Sequence, residues 1–147
     1  MHGRIIGIQV RPGRDLPTRA VESARAEPGS GLEGDHARAG KREITILSRE
    51  AWDAACRDAG CEGADPRGRR ANVIVEGVEL SARIGARLRL GGCVVQVEGE
   101  TLPCDVMEGV HAGLRAALGP DTRGGVHGRI VAGATLRVGD GVSWIEP

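Results

Sequence analysis

The sequence has no phenylalanine and no tyrosine, and only 2 tryptophans. It therefore lacks the aromatic platforms on which single-stranded nucleic acids stack. It also lacks an excess of either charge, because 20 basic residues are balanced by 20 acidic ones. General affinity for nucleic acid or anionic membrane needs clustered positive charge, so both are disfavoured as main ligands and any anion site must be local. Lysine is nearly missing, Lys41 being the only one; a GC-rich coding bias explains this as well as any functional demand. No apolar run approaches a membrane span, and Arg4 and Gln9 interrupt the apolar residues of Met1 to Val10, which rules out a secretion-signal core there. A cytoplasmic location is expected. The 4 cysteines, at 56, 61, 93 and 104, make no CxxC pair, so free thiols are expected rather than a disulfide framework.

The 147 residues suit one domain covering 1–147. Glycine is abundant, at 24 residues scattered without a period, which fits many tight turns between short strands. Gly3 to Val10 alternates and stops at Pro12-Gly13, reading as a first strand, and Arg19 to Arg25 carries a weaker strand pattern. Glu27 to Arg42 is Gly-rich and polar without periodicity, longer than an ordinary connection needs. Glu43 to Leu47 alternates as a strand. Ser48 is then a good N-cap for a helix running to about Ala59, with Gly60 ending it. Trp52, Ala55, Cys56 and Ala59 share one apolar face of that helix, so Cys56 reads as core.

A loop from Asp65 to Arg70 precedes a strand from Asn72 to Val75. Arg87 to Leu90, Gly91-Gly92 and Cys93 to Glu98 read as a hairpin, because a two-glycine turn permits the positive φ it requires. Asp105 to Leu118 has apolar residues at helical spacing and ends at Gly119-Pro120, which predicts a second helix. Gly124 to Val131, Ala134 to Val138 and Val142 to Ile145 follow as strands. The fold class expected is mainly β with two inserted helices, a mainly antiparallel barrel rather than a βαβ sheet.

Several motifs fail on inspection. Gly29-Ser30-Gly31-Leu32-Glu33-Gly34 matches GxGxxG, but no amphipathic helix follows to receive a pyrophosphate. Gly34 and Gly40-Lys41 approach a P-loop, with five residues between the glycines instead of four and Arg42 where a magnesium-binding hydroxyl belongs. No HxxxH, CxxC or HExxH spacing supports zinc, and no GxSxG elbow supports a hydrolase. Cys104 is the most informative residue, since it follows Pro103 at the start of the second predicted helix. Backbone amides there favour a thiolate, while Asp105 and Glu108 oppose it. Arg69, Arg70 and Asn72 place two guanidinium forks and an amide where loop becomes strand. The 34–42 loop offers Gly34, Asp35, His36, Arg38, Lys41 and Arg42. As a set, these donors suit an anionic organic ligand, and singly they are solvated loops.

These residues resemble the MOSC domain, the family named for the C-terminal domain of molybdenum cofactor sulfurase. The likeness is carried by Gly31-Leu32-Glu33-Gly34-Asp35-His36, then by Arg70-Ala71-Asn72-Val73-Ile74-Val75-Glu76-Gly77-Val78-Glu79-Leu80 and Gly85-Ala86-Arg87-Leu88-Arg89-Leu90-Gly91. Pro103-Cys104 and Gly124-Gly125-Val126-His127-Gly128-Arg129 leading into Gly139-Asp140 complete it. The resemblance implies a MOSC-type antiparallel β-barrel that binds the molybdenum cofactor (molybdopterin). It maps the family's functional cysteine onto Cys104, as molybdenum ligand or as sulfur carrier in persulfide form, and its Arg-x-Asn element onto Arg70 and Asn72 beside the pterin phosphate. In larger relatives, such as the mitochondrial amidoxime-reducing component, the matching cysteine ligates molybdenum and N-hydroxylated compounds are reduced. A reductase of that class with a separate electron donor is therefore the alternative implied.

The chain shows neither a desulfurase domain nor an iron–sulfur cysteine pattern. The resemblance thus implies a partner, either a pyridoxal-phosphate cysteine desulfurase or a reductase. Leu102 stands where some relatives have a basic residue. A third reading, from another class, is a cofactor-free partner-binding domain in which Cys104 is merely buried.

Overall fold

The computed structural model describes residues 2–36, 42–81 and 83–146. Its strands are β1 (Gly3–Val10), β2 (Arg19–Val21), β3 (Ser23–Glu27), β4 (Gly31–Leu32), β5 (Ile44–Ser48), β6 (Val73–Glu76), β7 (Arg87–Leu90), β8 (Cys93–Glu100), β9 (Val126–Ala132), β10 (Ala134–Arg137) and β11 (Gly141–Ile145). The helices are α1 (Arg49–Ala59), α2 (Asp105–Val110) and α3 (Leu114–Ala117), with 3₁₀ turns at Pro66–Arg69, before β6, and at Pro120–Thr122, before β9.

Seven strands pair in the order β11-β7-β8-β9-β5-β6-β1, and β1 pairs again with β11, closing a barrel with β2 added on β1. The alternation seen in the sequence has its cause here. In β7 and β8 every second side chain points into the barrel, and Leu88, Leu90, Cys93, Val95 and Val97 are sealed from solvent. The predicted hairpin forms with Leu90 opposite Cys93. A separate small sheet, β10-β3-β4, covers one part of the barrel.

A second apolar cluster lies outside the barrel, where Leu47, Trp52, Ala55, Cys56, Met107, Leu114 and Leu118 pack together. Helix α1 begins as expected, with the Ser48 side chain accepting a hydrogen bond from Ala51 N. It ends at Gly60, whose φ of 79° is the left-handed conformation that a Cβ would strain. No helix among the described residues is long and apolar enough to cross a membrane.

Three expectations are corrected. The second predicted helix is two, because the chain turns extended at His111 and left-handed at Gly113 before Leu114 restarts it, so three helices rather than two are present among the described residues. The barrel is mainly antiparallel, as expected, with β5 and β6 its one parallel pair among the described residues and α1 crossing between them. The strand expected over 19–25 is split into β2 and β3, which belong to different sheets. The aperiodic 27–42 stretch contains β4, a two-residue strand held by pairing with β3 rather than by any pattern of its own.

Candidate functional site

At one end of the barrel a cavity of about 410 Å³ lies between the end of β1, the 69–72 corner and the segment from Thr101 to Met107. It brings together Cys104, Asp35, His36, Arg42, Arg69, Arg70 and Asn72, seven of the residues singled out by sequence. Gly34 is not in its lining; with φ 86° it makes the turn that carries Asp35 and His36 there. Arg38 and Lys41 lie outside the described residues.

Cys104 is the N-cap of α2, with an extended backbone at φ −129°, and it is exposed. Its thiol caps no backbone N–H, so the sulfur is not committed to holding the helix. What fixes the corner is packing further on: Met107 is 1% exposed, contributes to the outer apolar cluster and lines the cavity. The helix after Cys104 has only 6 residues, so little dipole backs the thiol, contrary to the long helix read from the sequence. Its acidic neighbours are occupied as well. Asp105 pairs with Arg115, and Glu108 accepts a hydrogen bond from Gly113 N at 3.0 Å.

Positive charge comes instead from Arg69, whose importance the sequence left undistinguished from that of Arg70. Arg69 Nε donates to Gly124 O at 3.1 Å and Nη2 donates to Thr101 O at 2.9 Å. The guanidinium thus bridges the strand end before Cys104 and the turn before β9. Burial pushes its pKa down, the Cys104 thiolate partly offsets this, and the like charge of Arg42 adds to it. Gly124 makes the bridge possible. A Cβ there would sit 2.3 Å from Thr101 O and 3.3 Å from Arg69 Nη2, so only glycine lets these segments approach.

Arg70 ends the 3₁₀ turn in the left-handed region, at φ 67°, with its side chain exposed at the cavity. Asn72 has a more structural part than its motif suggests. Its Oδ1 accepts from Thr45 N at 3.0 Å and Thr45 Oγ1 at 3.2 Å, while Nδ2 donates to Gln9 O at 3.3 Å. Asn72 therefore ties β1 and β5 together beneath the cavity and is 8% exposed. The 35–36 loop is pinned in turn, since Arg11 N donates to Asp35 Oδ1 at 2.7 Å and His36 N donates to Arg11 O at 2.7 Å.

One polar atom is left over: Thr101 Oγ1 is buried with no hydrogen-bond partner among the described residues. Thr101 also lines the cavity. No group of three or more His, Cys, Asp or Glu is placed to hold a metal ion among the described residues, and among them Cys104 is the one thiol that lines the cavity. The donor set is a soft thiol beside Arg11, Arg42, Arg69, Arg70 and His36, with Asp35 as the one carboxylate among the described residues. Those residues fit an anionic pterin that carries a soft-ligand metal.

Comparison with known proteins agrees with the resemblance. No curated protein matches the chain by sequence. Among solved structures, the YuaD protein of Bacillus subtilis superposes with a TM-score of 0.80 at 20% identity, covering 97% of this chain and 94% of that one. YiiM from Geobacillus stearothermophilus gives a TM-score of 0.75 at 15% identity, covering 98% of this chain and 75% of that one. YiiM from Escherichia coli gives 0.73 at 17%, covering 100% and 71%. At such identities these likenesses establish the fold. The family model for the MOSC domain matches residues 33–143, a span that includes the 69–72 corner, Cys104 and the Gly124 turn. The chain belongs to the MOSC-domain family, which is associated with binding of the molybdenum cofactor.

Proposed function

We propose that this cavity holds the molybdenum cofactor, with Cys104 supplying a thiolate to the metal and Arg42, Arg69, Arg70 and His36 holding the anionic pterin. One observation carries the reading: an exposed thiol and a cluster of cationic donors open onto the same cavity, in a chain whose net charge is zero. Arg69 spends two of its five N–H donors on Thr101 O and Gly124 O, and the rest have no partner among the described residues. It is thereby oriented before any ligand arrives, which lowers the ordering cost of binding. Arg70, exposed and in a backbone conformation that costs energy, offers a fork to a phosphate oxygen. Thr101 Oγ1 can donate to or accept from a polar ligand atom. When bound, the cofactor would supply redox and sulfur-accepting chemistry at its metal.

The exposure of Cys104 favours a second reading, in which the same thiol carries sulfur. A persulfide donor would pass its terminal sulfur to Cys104, giving a Cys104 persulfide while the donor leaves as a thiol, with no net oxidant needed. The test is to purify the protein from a cofactor-producing host and assay molybdenum, pterin and cyanide-labile sulfur. Molybdenum with pterin supports the cofactor-binding reading, and labile sulfur without metal supports the carrier. Finding none of the three would overturn both.

A further inference from the structure

Helix α1 ends in an arrangement that the Cys104 cavity does not use. Gly60 N donates to Arg57 O at 3.3 Å and Cys61 N donates to Cys56 O at 2.8 Å, the paired hydrogen bonds of a left-handed glycine cap. In such a cap the residue after the glycine folds back onto the residue five positions earlier, normally as an apolar contact. Here both are cysteines. Cys56 is 1% exposed, and Cys61 is partly buried against the same cluster. The Cys56 thiol is pushed up to about 12, first by burial, then by a side-chain hydrogen bond with Cys61 and by the charges of Cys61 and Asp53. The short Cys61 N to Cys56 O bond brings their Cα atoms inside the roughly 4.4–6.8 Å window that disulfides span. Neither residue lines the cavity that holds Cys104.

We propose that Cys56 and Cys61 are a dithiol oxidation site, closed to a disulfide by hydroperoxides and independent of Cys104. The chemistry divides between the two sulfurs by their exposure. Cys61 is reached by solvent, so its sulfur attacks the peroxide O–O bond and becomes a sulfenic acid, while the other peroxide oxygen leaves as water or alcohol. Cys56 then attacks the Cys61 sulfur, and the sulfenic hydroxyl departs with the Cys56 proton as a second water. Two thiols lose two electrons, the O–O bond gains them, and one S–S bond is formed. Closure adds a covalent tie between the last turn of α1 and the chain just beyond Gly60, where the reduced form has the Cys61 N to Cys56 O hydrogen bond.

The test uses the Cys104→Ser protein, which removes the exposed competing thiol, treated with hydrogen peroxide and read by intact mass and peptide mapping. The expected result is loss of the mass of two hydrogens, a Cys56–Cys61 linked peptide, and full reversal by dithiothreitol. Cys61→Ser added to that background lies at the solvent edge and leaves the helix core intact; it is expected to abolish the mass loss. A Cys61 that accumulates as sulfinic acid with Cys56 unlinked would overturn the proposal, as would a cross-link that maps to Cys93. These readouts need no cofactor, so their failure is distinct from failure of the cavity reading.

Discussion

Two cavities of similar volume share the turn at residues 120–124, and they differ in nearly everything else. The one that Gly124 lines is about 410 Å³ and holds a thiol among Arg11, His36, Arg42, Arg69 and Arg70. The one lined by Asp121, Thr122 and Arg123 is larger, about 450 Å³, and its charged groups are mostly Glu50, Glu79 and Asp121. Its one arginine is already occupied, since Arg123 Nη1 donates to Asp58 Oδ2 at 2.8 Å and to Ala117 O at 3.1 Å. Glu50 is engaged too, accepting from Gly77 N at 2.7 Å. Volume therefore does not single out the functional cavity. What does is a set of donors with bonds still to make, around a soft nucleophile.

The comparison can be broken most forcefully by removing a large buried side chain from each cavity. Met107→Ala and Leu80→Ala are each expected to cost about 2–5 kcal/mol in urea unfolding, because both side chains are almost fully buried. Only Met107→Ala should also lower cofactor content, since only Met107 anchors the Cys104 corner. Equal cofactor loss in both would show that stability alone governs loading.

A smaller effect is expected at the arginines. Arg69→Ala leaves Thr101 O and Gly124 O without their donor, a loss of about 1–3 kcal/mol, and should weaken cofactor binding at least about tenfold. Arg123→Ala loses bonds of the same kind and should leave cofactor affinity unchanged; titration of the purified variants decides. Smaller still are the strained positions. Arg70→Gly and Asp121→Gly each relieve a positive φ, 67° and 56°, worth about 1 kcal/mol. Both should therefore hold or raise thermal stability, with only Arg70→Gly reducing affinity.

The smallest effect at neutral pH involves neither cavity. Burial raises the Cys93 thiol from 9.0 to about 11, as it raises that of Cys56 to about 12. The folded protein therefore holds protons that the unfolded chain has released above 9.0. This contribution to stability is full below 9.0, declines as pH rises above it, and is lost through about 11 to 12. With no tyrosine and a single lysine, thiols dominate titration in that window. The urea midpoint should hold steady up to about pH 9 and fall above it, less steeply in Cys93→Ala.

Local signals were legible where one segment decided its own structure. Ser48, the apolar face of α1 and Gly60 marked a helix because capping and packing agreed. The two-glycine hairpin was legible for the same reason. Helix α2 was overextended, because the spacing from Met107 to Leu118 continues through His111 and Gly113, where the backbone leaves the helix. The site was legible as residue types, but the rank of Arg69 was not. Its carbonyl partners lie 32 and 55 residues away, and no pattern within the 65–72 segment encodes them. The contact of Cys61 with Cys56 was likewise hidden, since it depends on how the chain turns at Gly60 rather than on helical spacing.

The central claim is that Cys104 and the arginines around it hold one cofactor together. The most direct measurement is the molybdenum and pterin content of Cys104→Ser beside that of the wild type, both purified from a cofactor-producing host. The prediction is a folded variant that keeps pterin and loses molybdenum. Equal molybdenum in the two proteins would contradict it and return Cys104 to the status of a surface thiol.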